Sequence, residues 1–197
     1  MHVDLTKKIK SSFFSVEKDT EEIVKKLFIE NLKDHPAHVE ALKRLLIINT
    51  EDCLDMSNQK YSEIVNKITI KDLFDKGYIR RKNKIKFPEH EEVKSYLIID
   101  FGNWFPAATN PIEFRDCTVT ISIICNSDYQ ELPNYALRCY KIAGYVDGIL
   151  AESRLSGLGK LHFATADEIT LNENESGIMI MYNAVHGSDD KIPLKDS

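Results

Sequence analysis

The order of the predicted elements in the last hundred residues limits the fold more than any other feature of the chain. Two apolar strand-like runs, at residues 95–101 and 116–125, precede an amphipathic helix near 134–152. Two more strand-like runs follow that helix, at 161–171 and 177–186. This β-β-α-β-β order predicts an α+β fold, in which one helix packs on a face of an antiparallel or mixed sheet.

The second strand run alternates polar and apolar residues more cleanly than any other segment. Cys117 and Val119 share one face of it, whereas Thr118 and Thr120 share the other. Because successive side chains of a strand point to opposite faces, this pattern predicts a half-buried antiparallel strand. The segment 178–185 is apolar on both faces. It predicts a central strand or one that a neighbouring subunit covers.

The helix near 134–152 carries an apolar stripe that is wide enough to lie across one face of a sheet. Its members are Cys139, Ile142, Ala143, Val146, Ile149 and Leu150. Gly144 and Gly148 lie four residues apart on another side of the helix. A glycine inside a helix costs about 1 kcal/mol relative to alanine. Either a second backbone approaches closely at these two positions, or the helix merely tolerates them.

A glycine-punctuated turn at 156–159 reverses the chain after this helix. The apolar positions of the next strand run are Leu161, Phe163, Ile169 and Leu171. The segment 156–160 also invites comparison with a phosphate-binding loop. Such a loop follows a strand and precedes a helix, whose N-terminus helps to hold the phosphates. Here the order is helix, turn and strand, so the segment is predicted to be a turn. The segment 103–113, with its two prolines and its asparagines, is predicted to be a loop.

The first ninety residues are predicted to be mostly helical. Asp19 or Thr20 is placed to cap a first helix, and Pro36 suits the first position of a second. Thr69 begins a capping-box sequence before a short helix, which Gly77 would end in the left-handed conformation. These short helices have one apolar stripe each, so they must pack on the second half of the chain or on another subunit.

The segment 76–86 contains six basic residues in eleven and predicts an extended arm or strand. Its charged face is either solvated or in contact with another subunit. A nucleic-acid patch fits less well, because base-stacking aromatic residues do not interleave with the charge. With this arm as the boundary, we predict an N-terminal helical region at 1–90, an α+β domain at 91–187 and a loosely ordered tail at 188–197.

The composition is that of an ordinary globular protein, with 43% hydrophobic and 29% charged residues among 197. The net charge of −5 argues against a protein that grips nucleic acid through a basic face, although brief contact with passing DNA is compatible with it. No apolar run reaches the roughly 18–20 residues of a membrane span, and the first residues do not resemble a secretory signal. The four cysteines lack metal-site spacing and are predicted to be buried thiols in a reducing compartment.

No group of residues has the spacing of a catalytic, cofactor or metal site. His35 and His38 lie three apart, which is too few ligands for zinc without further donors. Adjacent carboxylates such as Asp167 and Glu168 point to opposite faces of a strand, so they do not make an acid–base pair. We therefore predict no catalytic residue, no cofactor and no metal, and a protein that is not an enzyme.

Four segments together carry a resemblance to a known family. They are RDCTVTISIIC, YALRCYKIAGYVDGIL, SGLGKLHF and ITLNENESGIMIMYNAVHG. Their order over residues 94–187 resembles that of the tail-terminator and head–tail joining proteins of long-tailed bacteriophages. In that family a helix ending in a segment like I-D-x-I/L precedes a G-x-G-x-L turn. Residues 146–149 and 157–161 match these two motifs. The helical first ninety residues depart from the smallest members of the family.

The resemblance implies a structural virion protein that forms a ring, expected to be a hexamer, at the neck of the phage. Such a ring terminates the tail tube and joins it to the head connector. Its partners would be copies of itself, the tail-tube protein and the neck proteins, with transient DNA contact in the lumen and no membrane. Its place would be the virion tail or neck, after assembly in the host cytoplasm. The candidate subunit-interface residues are Arg80, Arg81, Trp104, Phe105, Gly144, Gly148, Met179 and Met181.

An alternative of a different class is a cytosolic α+β module that binds a small molecule or a peptide in the cleft between helix and sheet. Formation of a ring together with tail-tube protein would favour the neck protein. A ligand bound in a polar pocket of a strict monomer would favour the module. An enzyme whose site forms only between subunits is a third and weaker alternative.

Overall fold

The computed structural model describes residues 16–81, 94–108 and 114–187. Helices dominate its first part, as the sequence predicts. They are α1 (Val16–Lys25), a π-helical turn (Lys26–Glu30), α2 (Asn31–Asp34), α3 (Pro36–Ile47), α4 (Gln59–Asn66) and α5 (Ile70–Asp75). Pro36 is the first residue of α3, where its missing N–H leaves no helical hydrogen bond unmade.

The predicted capping box at Thr69 is confirmed. The Thr69 hydroxyl accepts a hydrogen bond from the backbone N–H of Asp72, and the Asp72 carboxylate accepts one from the backbone N–H of Thr69. Gly77 follows α5 with a φ of 79°, the left-handed conformation in which glycine has no side chain to strain. This pair of signals fixes where the chain leaves its helical part.

The predicted cap at Asp19 or Thr20 is wrong. The helix α1 begins earlier, at Val16, and both residues lie buried within it. The helical spacing of the sequence puts Leu32 on one apolar stripe with Ile23 and Phe28, but Leu32 lies in α2 with 51% of its surface exposed. The π-helical turn Lys26–Glu30 shifts the following residues around the helix axis. Leu32 therefore does not lie on the buried side of the helix that carries Ile23.

The second half forms one five-stranded mixed sheet, which confirms the predicted α+β class. Its strands are β1 (Ile79–Arg81), β2 (Ser95–Pro106), β3 (Phe114–Asn126), β8 (His162–Asn172) and β9 (Glu175–Gly187), in the order β1-β2-β3-β9-β8. Two-stranded ribbons pair β4 (Glu131–Leu132) with β5 (Ala136–Leu137), and β6 (Arg154–Leu155) with β7 (Gly159–Lys160). Only the β1–β2 pair of the main sheet is parallel.

The strand β2 is longer than predicted. The sequence indicates a loop from 103, but β2 continues to Pro106 after a register shift between Gly102 and Phe105. Asn103 has a φ of 51° within this irregularity. The bulge lets the strand resume its pairing with β3. Residues 109–113 of the predicted loop lie outside the described residues.

The helix α6 (Arg138–Leu150) lies across β3 and β9, as the apolar stripe predicts. The sheet face beneath it carries Ile121 and Ile180, which pair across the two strands and are buried. Tyr182 lies on the same face and donates a 2.9 Å hydrogen bond to Asp147 of α6. Burial and this bond to a carboxylate raise the pKa of Tyr182 above the ordinary tyrosine range.

The N-terminal helices share one apolar core with the sheet and α6. Leu42 and Leu45 of α3 belong to the same buried cluster as Ile121 and Val146. Within the helical part, the buried Arg44 is held by Glu40 at 2.7 Å, by the Ser62 hydroxyl and by backbone carbonyls. The division of the chain at residue 90 stays a prediction, as does the character of the tail beyond Gly187, which lies outside the described residues.

Candidate assembly surfaces

The strand β8 is an outer strand of the sheet, and its side chains are exposed on both faces. It pairs with β9 on one side, and ten of its eleven residues are exposed while Ile169 is half-buried. Phe163 and Leu171 are each 52% exposed. The two residues are apolar positions of the predicted strand, but at this edge they face solvent. An edge of this length presents a row of backbone donors and acceptors to any partner strand.

The middle of β8 is acidic. Asp167 and Glu168 occupy adjacent positions near the centre of the strand, beside Met179 and Ile178 of β9 respectively. Tyr140 of α6 donates its hydroxyl to Glu168, and this bond to a carboxylate is the main cause of a raised pKa for Tyr140. The sequence places these acids on a strand but does not indicate that the strand is an edge.

The opposite edge of the sheet is basic. In β1, Arg80 stacks on Tyr96 of β2, with its guanidinium carbon 3.5 Å from the ring centroid. Its Nε also donates a 2.9 Å hydrogen bond to the Gly77 carbonyl. The guanidinium of Arg81 lies 5.7 Å from the Phe74 ring. Both arginines are half-buried, so a strand does form within the predicted basic arm; residues 82–86 of that arm lie outside the described residues.

A groove of about 810 Å³ lies at one end of the sheet, between the strands and the β6–β7 ribbon. Its wall combines apolar and charged side chains: Phe105, Phe114, Asp116, Arg154, Lys160, His162 and Val185. Phe105 is 62% exposed there. Glu152 accepts hydrogen bonds from Lys160 and, at 3.1 Å, from His162 at the mouth of the groove, and these two partners lower the pKa of Glu152.

Trp104 turns away from this groove and packs inward. Its ring lies edge-on to His186 at 5.2 Å and stacks near Phe101 at 6.4 Å. Trp104, one of the interface candidates, is therefore anchored against the core of its own subunit. A neighbouring subunit as the partner of Phe105 stays a prediction.

The buried pair of Asp19 and His186 joins the first helix to the last strand. Asp19 Oδ2 lies 2.6 Å from His186 Nδ1, and the two side chains are 1% and 0% exposed. Sequence reasoning missed this pair, because 167 positions separate the residues and Asp19 was placed at a helix cap. The spacing of polar residues offers no signal for such a contact.

The outer side of α6 is smooth and open. An added Cβ at Gly144 or Gly148 would meet nothing within 4 Å in the described part of the chain. Both glycines line a shallow groove of about 750 Å³ with His35 and His38, whose rings stack at 5.2 Å. The two histidines are exposed. No second backbone among the described residues approaches the glycines, so contact with another subunit stays a prediction.

Met179 and Met181 lie on the sheet face away from α6, and both are half-buried. They alternate with Ile180 and Tyr182, which face α6. The eight interface candidates therefore occupy four places rather than one: the basic edge, the sheet end, the outer side of α6 and this sheet face. Arg80, at the basic edge, lies on the same sheet face as Met179, the face away from α6.

The described residues hold no constellation suited to metal chemistry. In the ranges 16–81, 94–108 and 114–187, no three His, Cys, Asp or Glu side chains lie together as ligands. The four cysteines are buried, as predicted, and burial raises the pKa of Cys117 and of Cys125 to about 12. Gly157 and Gly159 have φ values of 79° and 64° and form a ribbon turn, which confirms the turn and leaves no helix for phosphate binding after it. Of the described helices, none has the length and apolar character for crossing a membrane.

Comparisons with known proteins find a family match and a match to a solved structure, among others. The model of the YomW family matches residues 40–184, which cover most of the described fold. No curated protein matches the chain. Among solved structures, a chain of the "Virion of native gene transfer agent (GTA) particle" is 13% identical. The match covers 64% of this chain and 91% of that one, with a TM-score of 0.40.

Proposed function

Because the chain belongs to the YomW family, a phage-derived family, we propose that it is a structural protein of a tailed-phage virion. In this proposal it forms a ring of six copies at the neck, which terminates the tail tube and joins it to the head connector. The protein is assembled in the host cytoplasm and then resides in the virion. Its role involves no catalytic step.

The observation that carries the proposal is the exposed edge strand β8. Monomeric proteins protect long edge strands with short lengths, bulges or coverings, because free edges recruit other strands. The edge strand β8 has a register shift near each end, at 163–165 and 170–172, but it is eleven residues long and carries two half-exposed apolar side chains, Phe163 and Leu171. A strand of this kind is suited to a place inside an assembly, where a neighbouring subunit covers it.

The electrostatics of the chain fit a lumen through which DNA passes. The net charge is −5, and an acidic wall would repel the phosphate backbone and keep the DNA from binding during passage. In the proposed ring, the sheet edges contact neighbouring copies. The tail-tube protein and the head connector bind the two faces of the ring.

The mass of the purified protein tests the proposal directly. Sedimentation velocity and mass photometry would be measured across a wide concentration range, alone and with the tail-tube protein of the same phage. We expect a closed ring that negative-stain micrographs show with its rotational symmetry. A strict monomer under both conditions would overturn the proposal.

Matched variants locate the contact. Phe163→Ser removes an exposed apolar side chain from β8, and we expect it to weaken assembly while the monomer stays folded. Met56→Ser is the control, since Met56 is 46% exposed in the segment before α4, away from the sheet. Equal assembly of the two variants would exclude β8 as the contact surface.

The groove at the sheet end, which lies away from the cleft between helix and sheet, favours the alternative function of a cytosolic module that binds a small molecule or a peptide. Its volume of about 810 Å³ and its mixture of apolar and charged walls are typical of ligand sites. Native mass spectrometry of the protein purified from its host would show a bound ligand as added mass. A ligand on a strict monomer, with no ring, would support the module over the neck protein.

A further inference from the structure

We propose that the acidic edge strand β8 of one subunit pairs with the basic edge strand β1 of the next copy. The inference rests on the proposed ring and names the two strands that join its subunits. It is carried by the directions of the two edge strands, by their charges and by the row of residues that connects them across the sheet.

The strand directions make the joint antiparallel. The strand β1 runs parallel to β2, and each further step through β3, β9 and β8 reverses the direction. The two edge strands therefore point in opposite directions. When a second sheet is placed beside the first in the same orientation, β8 meets β1 as an antiparallel neighbour. The outward backbone groups of both strands, which pair with no other described strand, can then form a ladder.

One row of cross-strand neighbours links the charges at the two edges. Arg80 lies beside Ile98, Ile98 beside Ser122, Ser122 beside Met179 and Met179 beside Asp167. Arg80 and Asp167 are thus the two ends of a single row on one face. If the next sheet follows without a stagger, Asp167 of one copy lies directly opposite Arg80 of the next.

The neighbouring positions reinforce this register. In the same antiparallel pairing, Glu168 of one copy lies opposite Ile79 of the next, and Ala166 lies opposite Arg81. Glu168 and Arg81 are therefore diagonal neighbours on the other face of the joint. Side chains in direct and diagonal positions of an antiparallel pair interact across the joint. Each face of the joint then holds one carboxylate and one guanidinium.

Self-pairing of β8 is disfavoured by the same charges. The strand spans His162–Asn172, so its centre is Asp167. A two-fold joint between two copies of β8 in antiparallel register would place Asp167 against Asp167, and like charges directly opposite destabilise a pair. A joint between two different edges is head-to-tail, and contacts of that kind form a ring when the rotation from one copy to the next closes.

Charge reversal tests the joint. Asp167→Lys makes the β8 edge repel β1, and Arg80→Glu makes the β1 edge repel β8. We expect each variant alone to associate about tenfold more weakly than the wild type, because a loss of roughly 1.4 kcal/mol per joint is tenfold in affinity. An equimolar mixture of the two is expected to assemble again, with the variants alternating so that every joint regains opposite charges.

A second pair and matched controls guard against effects on folding. Arg80 stacks on Tyr96, so Arg81→Glu with Glu168→Lys repeats the exchange with an arginine whose aromatic contact is looser. Lys60→Glu and Glu63→Lys make the same charge changes on the exposed side of α4, and they are expected to assemble like the wild type. Circular dichroism of each variant reports whether the monomer is folded.

The outcomes separate the joint from the ring. If the wild type assembles and the edge variants assemble equally well, the β8–β1 joint is wrong while the ring proposal stands. Recovery of the Asp167→Lys variant by the wild type as fully as by Arg80→Glu, whose β8 is unchanged, would show that β8 pairs with itself and would overturn the joint. A wild type that stays monomeric overturns both proposals.

Discussion

Arg138 Nη1 donates a 2.8 Å hydrogen bond to the backbone carbonyl of Leu45, 93 positions earlier in the chain. The same guanidinium donates to the carbonyls of Ile48, Thr50 and Tyr129 at 2.7 to 2.9 Å, and its side chain is fully buried. Leu45 belongs to the last turn of α3, where free carbonyls and the negative end of the helix dipole favour a cation. One side chain thereby joins the helical part to the start of α6.

Replacing Arg138 should therefore destabilise the whole fold. Arg138→Met keeps much of the volume but leaves four carbonyls without their donors. We expect a loss of about 3 kcal/mol or more in the free energy of unfolding, because each orphaned buried group costs roughly 1–3 kcal/mol. Urea denaturation followed by circular dichroism measures it. Arg154→Met, at an exposed arginine of β6, is the control, and an equal effect of both would contradict the role of Arg138.

Two glycine-to-alanine changes should act in opposite directions. At Gly177 an added Cβ would lie 1.8 Å from the Ile123 carbonyl oxygen, so Gly177→Ala must displace β9 from β3. We expect a loss of about 4 kcal/mol or more, or failure to fold. At Gly144 the space is open. Gly144→Ala should raise the free energy of unfolding by about 0.5–1 kcal/mol, because alanine is more favourable than glycine inside a helix. Thermal unfolding of both variants checks the contrast.

The Gly144→Ala variant also tests the outer side of α6 as a subunit contact. A more stable monomer that no longer assembles would identify a close approach of another backbone there. Normal assembly would show that α6 merely tolerates the glycine.

The buried thiols should make the protein less stable at alkaline pH. An ordinary thiol has a pKa near 9.0, whereas burial raises that of Cys117 and of Cys125 to about 12. Between these values the unfolded chain has lost protons that the folded chain retains. The free energy of unfolding therefore falls as pH rises from about 9 to about 12, by up to about 1.4 kcal/mol per pH unit for each thiol.

Urea titrations at several pH values would measure that slope. Cys125→Ala is expected to make it shallower, whatever the variant does to stability at neutral pH. An unchanged slope would show that this thiol does not contribute. Tyr182, whose pKa burial also raises, adds to the loss of stability only above the ordinary tyrosine pKa of about 10.

Two tyrosines with carboxylate partners should differ in their effect on stability. Tyr182→Phe removes the buried hydrogen bond to Asp147 that holds α6 to β9, and we expect a loss of about 1–3 kcal/mol. Tyr140→Phe removes an exposed bond to Glu168, where water can replace the hydroxyl, so little change is expected. The urea midpoints of the two variants give the comparison. Equal shifts would contradict a structural role for the Tyr182 hydroxyl.

The parts of the fold that local patterns determine could be predicted from the sequence. Alternation defines β3, helical spacing defines α6, and the Thr69 capping box defines the start of α5. Each of these signals lies within a few residues of the element it specifies. The tertiary role of Asp19 could not be predicted in this way, because its partner His186 is far along the chain.

Local sequence patterns also could not predict which strands form the edges of the sheet. Phe163 and Leu171 fall at positions typical of a covered strand, but of the described strands only β9 lies beside β8. Strand order decides whether such residues are covered, and strand order depends on which runs pair. The extension of β2 beyond Gly102 depends on a bulge, which a prediction based on proline and asparagine content treats as a loop.

The contact between Trp104 and His186 equips the protein with an intrinsic optical reporter. Trp104 is the single tryptophan of the chain, so its fluorescence comes from one place. Its ring touches the histidine that meets Asp19 of α1. Detachment of α1 would change the surroundings of that indole at once. Emission spectra can therefore follow the docking of the first helix, during folding or assembly, without an attached dye.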